Sequence, residues 1–220
     1  MIPRTRLAVI AFLVAVAASG ANATEPVASA RPSFQWPVIE GWRKEIIPFP
    51  LEFARAIPFT GIEELRFSPG MFEPGQGGYW SYAFVWWLDS RPTLGAPEIE
   101  TTMRRYFAGL ITNVASEKKH PIDPARFVAS VRDVPGVLTK SGHAVHAFTG
   151  TVDSYDAFVT GAPIVLNLEV WVWDCPDAGK RVALVLASPK PATAPIWGSL
   201  RKRRDEFVCH GASSSPSTPH

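Results

Sequence analysis

The chain has little cysteine, no long apolar run beyond its first two dozen residues, and none of the short motifs that announce a reaction. Only two of its 220 residues are cysteine and they form no C-x-x-C, which leaves a catalytic thiol without support. There is no G-x-S-x-G, no phosphate-binding G-x-x-x-x-G-K-S/T and no dinucleotide fingerprint. Gly75-Gln76-Gly77-Gly78 lacks the Lys, Ser/Thr and helix that a phosphate cradle needs, so it reads as a hairpin loop within residues 68–78. His143 and His146 are three apart on an expected strand, which turns them to opposite faces, whereas two strand ligands for one ion need a spacing of two. His120 and His210 belong to no H-E-x-x-H, and Asp153, Asp156, Asp174 and Asp177 match no EF-hand loop. No metal site, cofactor or catalytic residue is therefore assigned from motifs.

What is present begins with "MIPRTRLAVIAFLVAVAASGANATEP". Arg4 and Arg6, the uncharged stretch Leu7–Ala18 and the Ala21-Asn22-Ala23 site form a secretory signal pattern, and the apolar run falls short of the roughly 18 residues a membrane anchor needs. The expectation is export to a periplasmic or extracellular compartment with cleavage after Ala23 and no stable membrane span afterwards. Cleavage removes two of the 22 basic residues and no acid, leaving 20 basic against 20 acidic. A neutral mature chain lacks the footprint of a nucleic-acid binder, and Arg201-Lys202-Arg203-Arg204 reads as the wet face of a helix. Residues 24–33 and 211–220 carry too little apolar surface to offset ordering and are expected to be flexible, leaving a single domain over 34–210. Two cysteines in an oxidising compartment predict a Cys175–Cys209 disulfide, worth about 3 to 4 kcal/mol by chain entropy.

Periodicity predicts strands at 42–49, 61–67, 79–88, 126–133, 143–152, 164–174 and 181–187, the first an edge because of Pro48 and Pro50. Residues 96–119 read as a long helix, with Ile99, Met103, Phe107, Leu110, Ile111 and Val114 in one stripe. A second helix starts at Pro195 and ends before Cys209. "CPDAGK" has Pro, Asp and Gly in turn order, making the last two strands a hairpin. Short connections exclude an all-parallel arrangement. The fold class is therefore α+β, a largely antiparallel sheet covered by one long central helix and one C-terminal helix. This element order, closed by "ASPKPATAPIWGSLRKRRDEFVC" with Trp197 and Phe207 on its helix, resembles the PsbP/Mog1-like fold over residues 42–209. The resemblance implies an accessory or partner-binding role and carries no catalytic motif.

The densest signal is "YWSYAFVWWL", residues 79–88, with six aromatic side chains. Alternation puts Trp80, Tyr82, Phe84, Trp86 and Leu88 on one face, and leaving all five in water would forfeit about 10 kcal/mol, so that row is core. The other row sets small Ser81 and Ala83 between Tyr79 and Trp87, which suits either close helix packing or a groove with aromatic sides. Strand 164–174 turns Leu166, Leu168, Val170 and Val172 to one side and Val165, Asn167, Glu169, Trp171 and Trp173 to the other. A carboxylate among such neighbours needs a partner, a raised pKa or a wet face. The candidate ligand-binding residues are Tyr79, Trp87, Asn167, Glu169 and Trp171, in a site between strands 79–88 and 164–174 and loop 68–78. The leading expectation is an exported, non-enzymatic binding or accessory protein of the cell envelope, its partner an unidentified small ligand or envelope protein. The alternatives are an exported hydrolase using Glu169 as acid or base with His146 as helper, and a structural envelope protein.

Overall fold

The computed structural model describes residues 34–119, 122–136, 138–140 and 143–209. The expected signal peptide, the segments 24–33 and 211–220, His120 and His210 lie outside the described residues.

The strands are β1 (Phe34–Gln35), β2 (Arg43–Pro48), β3 (Gly61–Phe67), β4 (Tyr82–Leu88), β5 (Val128–Asp133), β6 (Leu138–Lys140), β7 (His143–Asp156), β8 (Ala162–Cys175), β9 (Lys180–Ser188) and β10 (Val208–Cys209). Helix α1 (Ala96–Glu117) lies between β4 and β5, and α2 (Pro195–Glu206) follows β9. The main sheet runs β2-β3-β4-β9-β8-β7-β5, with β6 paired to the first residues of β7 and every pairing antiparallel. The expected α+β architecture is what the chain adopts. β2 is an edge, as its prolines require.

Two registers differ from expectation. β4 begins at Tyr82 because residues 68–81 fold into successive turns; Trp80 takes φ 50°, which breaks a strand, and its amide donates to Met71 O at 3.0 Å. Trp80 is buried all the same. β7 and β8 run longer than predicted because Asp156 closes their connection, accepting from the Phe158, Val159 and Thr160 amides, the Thr160 hydroxyl and the Tyr79 hydroxyl. Burial works against the charge of Asp156, yet these donors hold its carboxyl below the usual carboxylate range. Strands β1, β6 and β10 have two or three residues each, too few for a period-two pattern to register.

α1 starts at Gly95, whose amide donates to the Glu98 carboxylate at 3.0 Å, and Pro97 occupies its first turn. Its stripe of Ile99, Met103, Tyr106, Phe107 and Ile111 is buried on the face of the sheet carrying Tyr82, Phe84, Trp86, Leu88, Leu166, Leu168, Val170 and Val172. Gly109 lets the 3₁₀ turn Glu52–Ala54 cross the helix, since a Cβ there would stand 2.0 Å from Phe53 O. The opposite face of the sheet meets α2. There Ala83, Val85, Trp87, Val182, Leu184, Leu186 and Trp173 pack with Trp197, Leu200 and Phe207, joined by Phe34 and Trp36. The disulfide Cys175–Cys209, with Cα atoms 6.0 Å apart, ties the end of β8 to β10 directly after α2.

The basic run on α2 is not a wet face. Arg201 lies over Trp197 at 5.6 Å, Arg203 over Trp42 at 5.4 Å and Arg204 over Trp171 at 4.5 Å, so only Lys202 of the four is exposed. Arg203 is 1% exposed and reaches Glu206 at 2.7 Å. The sequence pattern missed this because arginines stacked on rings leave the same charge run as solvated ones.

The α1-side core also holds a carboxyl. Glu63 on β3 is fully buried beside Trp86, whose indole N–H donates to it at 3.0 Å, and near Tyr106 and Tyr82. Burial pushes its pKa up from 4.5 to about 8, and the hydrogen bonds from Trp86 and Tyr106 offset only part of that rise.

Two stability measurements follow. Truncating Trp197, which is buried among both aromatic and aliphatic neighbours, is expected to cost about 3 to 5 kcal/mol in urea unfolding, because a large ring leaves a cavity under α2. The folded state keeps the Glu63 proton up to about pH 8, whereas the unfolded chain releases it near 4.5. The stability this supplies is complete below pH 4.5 and lost as pH rises to about 8. Glu63→Gln is expected to remove that decline when unfolding midpoints are compared at pH 5 and pH 8.5; an unchanged decline would place the titrating group elsewhere.

Candidate functional site

α2 covers β4, β9 and the Trp171–Trp173 end of β8, Trp36 covers Arg66 on β3, and the face is open over β5 and the parts of β7 and β8 around Thr149–Thr151 and Val165–Glu169. Cross-strand register arranges what it displays. Arg132, Thr149 and Glu169 form one row across β5, β7 and β8, Ser130, Thr151 and Asn167 the next, and Val128, Asp153 and Val165 a third. The first two rows line a cleft of about 230 Å³, walled by Ala192 and Trp197. Period-two alternation explains why six polar side chains converge, since their chain neighbours Leu166, Leu168 and Val152 turn the other way into the α1-side core.

Local bonding fixes the walls of this cleft. The Asn167 side-chain amide donates to Ser188 O at 3.3 Å and Lys190 O at 3.2 Å, and the Trp197 indole donates to Lys190 O at 2.9 Å. Loop 189–194 is thereby held against both β8 and α2. Thr149 donates to Leu168 O at 3.2 Å. Glu169 receives a fork from Arg201, with Nε 3.2 Å from both carboxylate oxygens and Nη2 2.5 Å from Oε1. The Glu169 carboxylate raises the Arg201 pKa further above its usual range. Arg132, exposed on β5, makes no hydrogen bond or ion pair among the described residues.

Of the five residues singled out from sequence, Asn167 and Glu169 line the cleft and three do not. Tyr79 precedes β4, packs against the α1-side core and donates its hydroxyl to Asp156, so it lies on the other side of the sheet. Trp87 is 4% exposed, with its ring 4.9 Å from that of Phe34 and 6.2 Å from that of Phe207; it belongs to the packing under α2. Trp171 lies beneath the Arg204 guanidinium at 4.5 Å, outside the cleft lining. The expected groove between strands 79–88 and 164–174 does not form because β9 is inserted between them. Small Ala83 instead lies in the packing shared with α2. Sequence reasoning missed Arg132, Ser130, Thr149 and Thr151. Each sits on a strand it had recognised, and only the β5-β7-β8 register brings them beside Asn167 and Glu169.

His146 pairs with Val172 on the face opposite Glu169, so the two cannot address one reacting atom. It lines a larger cleft of about 510 Å³ near the start of α1, with Asp133, Asp174 and Arg181. There Arg181 forks onto Asp174 at 2.9 and 3.2 Å and donates to Pro92 O at 2.5 Å, fastening the β8–β9 hairpin to the loop that leads into α1. Those Arg181 hydrogen bonds hold the Asp174 carboxyl below its usual range. Among the described residues, no group of three His, Cys, Asp or Glu side chains converges for a metal, and no helix is long and apolar enough to cross a membrane.

The fold and site define a class: an antiparallel α+β domain, stapled by one disulfide, with a polar cleft on the uncovered end of its sheet. Comparison with protein-family models, curated proteins and solved structures finds no match for this chain.

Because the Glu169–Arg201 pair is partly exposed on both sides, its contribution is limited by solvent screening. A double-mutant cycle with Glu169→Gln and Arg201→Met is expected to give a coupling of about 0.2 to 1 kcal/mol, read from urea unfolding. A coupling well above this range would mean that the pair is shielded from water.

Proposed function

We propose that the protein is an exported, non-enzymatic binding or accessory domain of the cell envelope whose site is the cleft on β5, β7 and β8. The observation that carries this reading is the row structure of the open face. Ser130, Arg132, Thr149, Thr151, Asn167 and Glu169 present donors and acceptors on rigid, paired strands, and paired strands position groups with little loss of entropy on binding. The signal pattern and the buried disulfide support an oxidising compartment. A hydrolytic role for Glu169 is the weaker reading, because both of its oxygens already accept from Arg201 and His146 faces away.

The test is native mass spectrometry of the protein isolated gently from its host compartment, beside a variant carrying Thr151→Val and Asn167→Ala. The expected result is a retained small molecule or stoichiometric partner on the wild type, lost from the variant, with both masses two hydrogens below the reduced chain. A wild type that comes off bare would sink the binding reading.

A further inference from the structure

The geometry points to a ligand class for this cleft: a small molecule presenting a single carboxylate, bound between Arg132 and the hydroxyls of Ser130 and Thr151. The inference rests on the cleft being the binding site and goes further by naming what it takes. Among the described residues, Arg132 is the one basic side chain lining the cleft, and nothing there neutralises it. A guanidinium presents a planar fork of donors that matches a carboxylate with two parallel hydrogen bonds. Thr149 lies directly across from Arg132, which puts their Cβ atoms about 4.5 to 5.5 Å apart. Ser130 and Thr151 face each other one row on, about 7 Å along the strands. The Thr149 O–H is given to Leu168 O, so the hydroxyl donors nearest the fork are those of Ser130 and Thr151, one row from it and within reach of the same small ligand.

Charge decides against more highly charged ligands. Glu169 does not repel an anion because Arg201 neutralises it, but in doing so Arg201 is spent and offers no second fork. Asp153 in the third row adds a negative charge on the same face. One uncompensated guanidinium with an acid nearby suits a monoanion better than a phosphate dianion, which would bring a second charge with no second cation to meet it. Size limits the ligand as well. At about 230 Å³ the cleft lies below the roughly 300 to 1,000 Å³ of drug-sized sites, and equals some seven or eight water volumes at about 30 Å³ each. Aromatic stacking of a sugar ring is not available here, since the Trp197 face is buried and Trp171 is occupied by Arg204.

The experiment is a titration of ¹⁵N-labelled protein followed by amide chemical shifts, with acetate, inorganic phosphate and glucose as separate probes, on the wild type and on Arg132→Gln and Arg132→Lys. Acetate is expected to shift the amides of residues 130–132 and 149–151 saturably. Arg132→Gln is expected to weaken that binding at least tenfold, and Arg132→Lys to weaken it less. Because Arg132 is exposed and has no partner among the described residues, the spectra of both variants elsewhere are expected to overlay the wild type. Equal binding of acetate by Arg132→Gln, tighter binding of phosphate than of acetate, or no acetate shift at these amides would each overturn the assignment. If glucose shifts the same amides and acetate does not, the ligand class falls while the cleft stands as the binding site.

Discussion

The arrangement depends on one strand that has no wet side. From Tyr82 to Leu88 every residue of β4 is less than 5% exposed, with Tyr82, Phe84, Trp86 and Leu88 turned to α1 and Ala83, Val85 and Trp87 turned to α2. A strand buried on both faces must lie inside a sheet and needs a layer on each side. The β4 side chains supply both interfaces. The bulky row stacks on α1, where the Phe84 and Tyr106 rings lie 5.3 Å apart, and the row with Ala83 and Val85 packs with Trp197, Leu200 and Phe207 of the α2 layer. Both helices are therefore fixed relative to β4, and the rest of the sheet is placed by its distance from that strand.

That distance produces the cleft. α1 has 22 residues and spans about 33 Å, whereas α2 has 12 and spans about 18 Å. Strands spaced about 4.8 Å apart put β5 some 20 Å from β4, counting across β9, β8 and β7. A helix about 10 Å wide centred on β4 and β9 shelters β7 only where Val145 meets its layer and leaves Thr149–Thr151 and β5 uncovered, so the side chains there had to be compatible with water. Ser130, Thr149, Thr151 and Asn167 meet that condition, and the cleft follows from a sheet wider than its second helix.

How much of this was legible in the sequence depends on the range of the interaction. The two helices, seven strands and the disulfide were readable because each is announced by a local pattern: a helical stripe at Ile99 to Ile111, alternation in β4 and β8, a turn at Pro176–Gly179, two cysteines after a signal. Alternation also put Asn167 and Glu169 on one face. Strand order was not readable, because antiparallel strands joined by a helix or a long loop are free to insert at several places. β9 separates β4 from β8, and this removed Trp87 from the site and placed Thr149 and Arg132 in it. Tyr79 was misplaced for a local reason, the positive φ of Trp80, which a run of aromatic residues conceals.

The carboxyls of the sheet show how partners decide what a charge is for. Glu63 on the α1 side has only neutral donors, Trp86 and Tyr106, so burial drives it to hold its proton and it behaves as a polar core group. Glu64, one residue on, faces the α2 side and meets Arg66 at 2.5 Å and Lys44 at 3.2 Å. Glu169 lies on that same side at the edge of α2 and takes its three hydrogen bonds from Arg201. The α2 side of the sheet is thus where carboxylates find cations, and its arginines are largely consumed by acids and tryptophan rings. Arg132 lies beyond the reach of α2, on the edge strand, with hydroxyls rather than an acid beside it. An unconsumed guanidinium next to polar donors is a place where an anion gains a partner without displacing another.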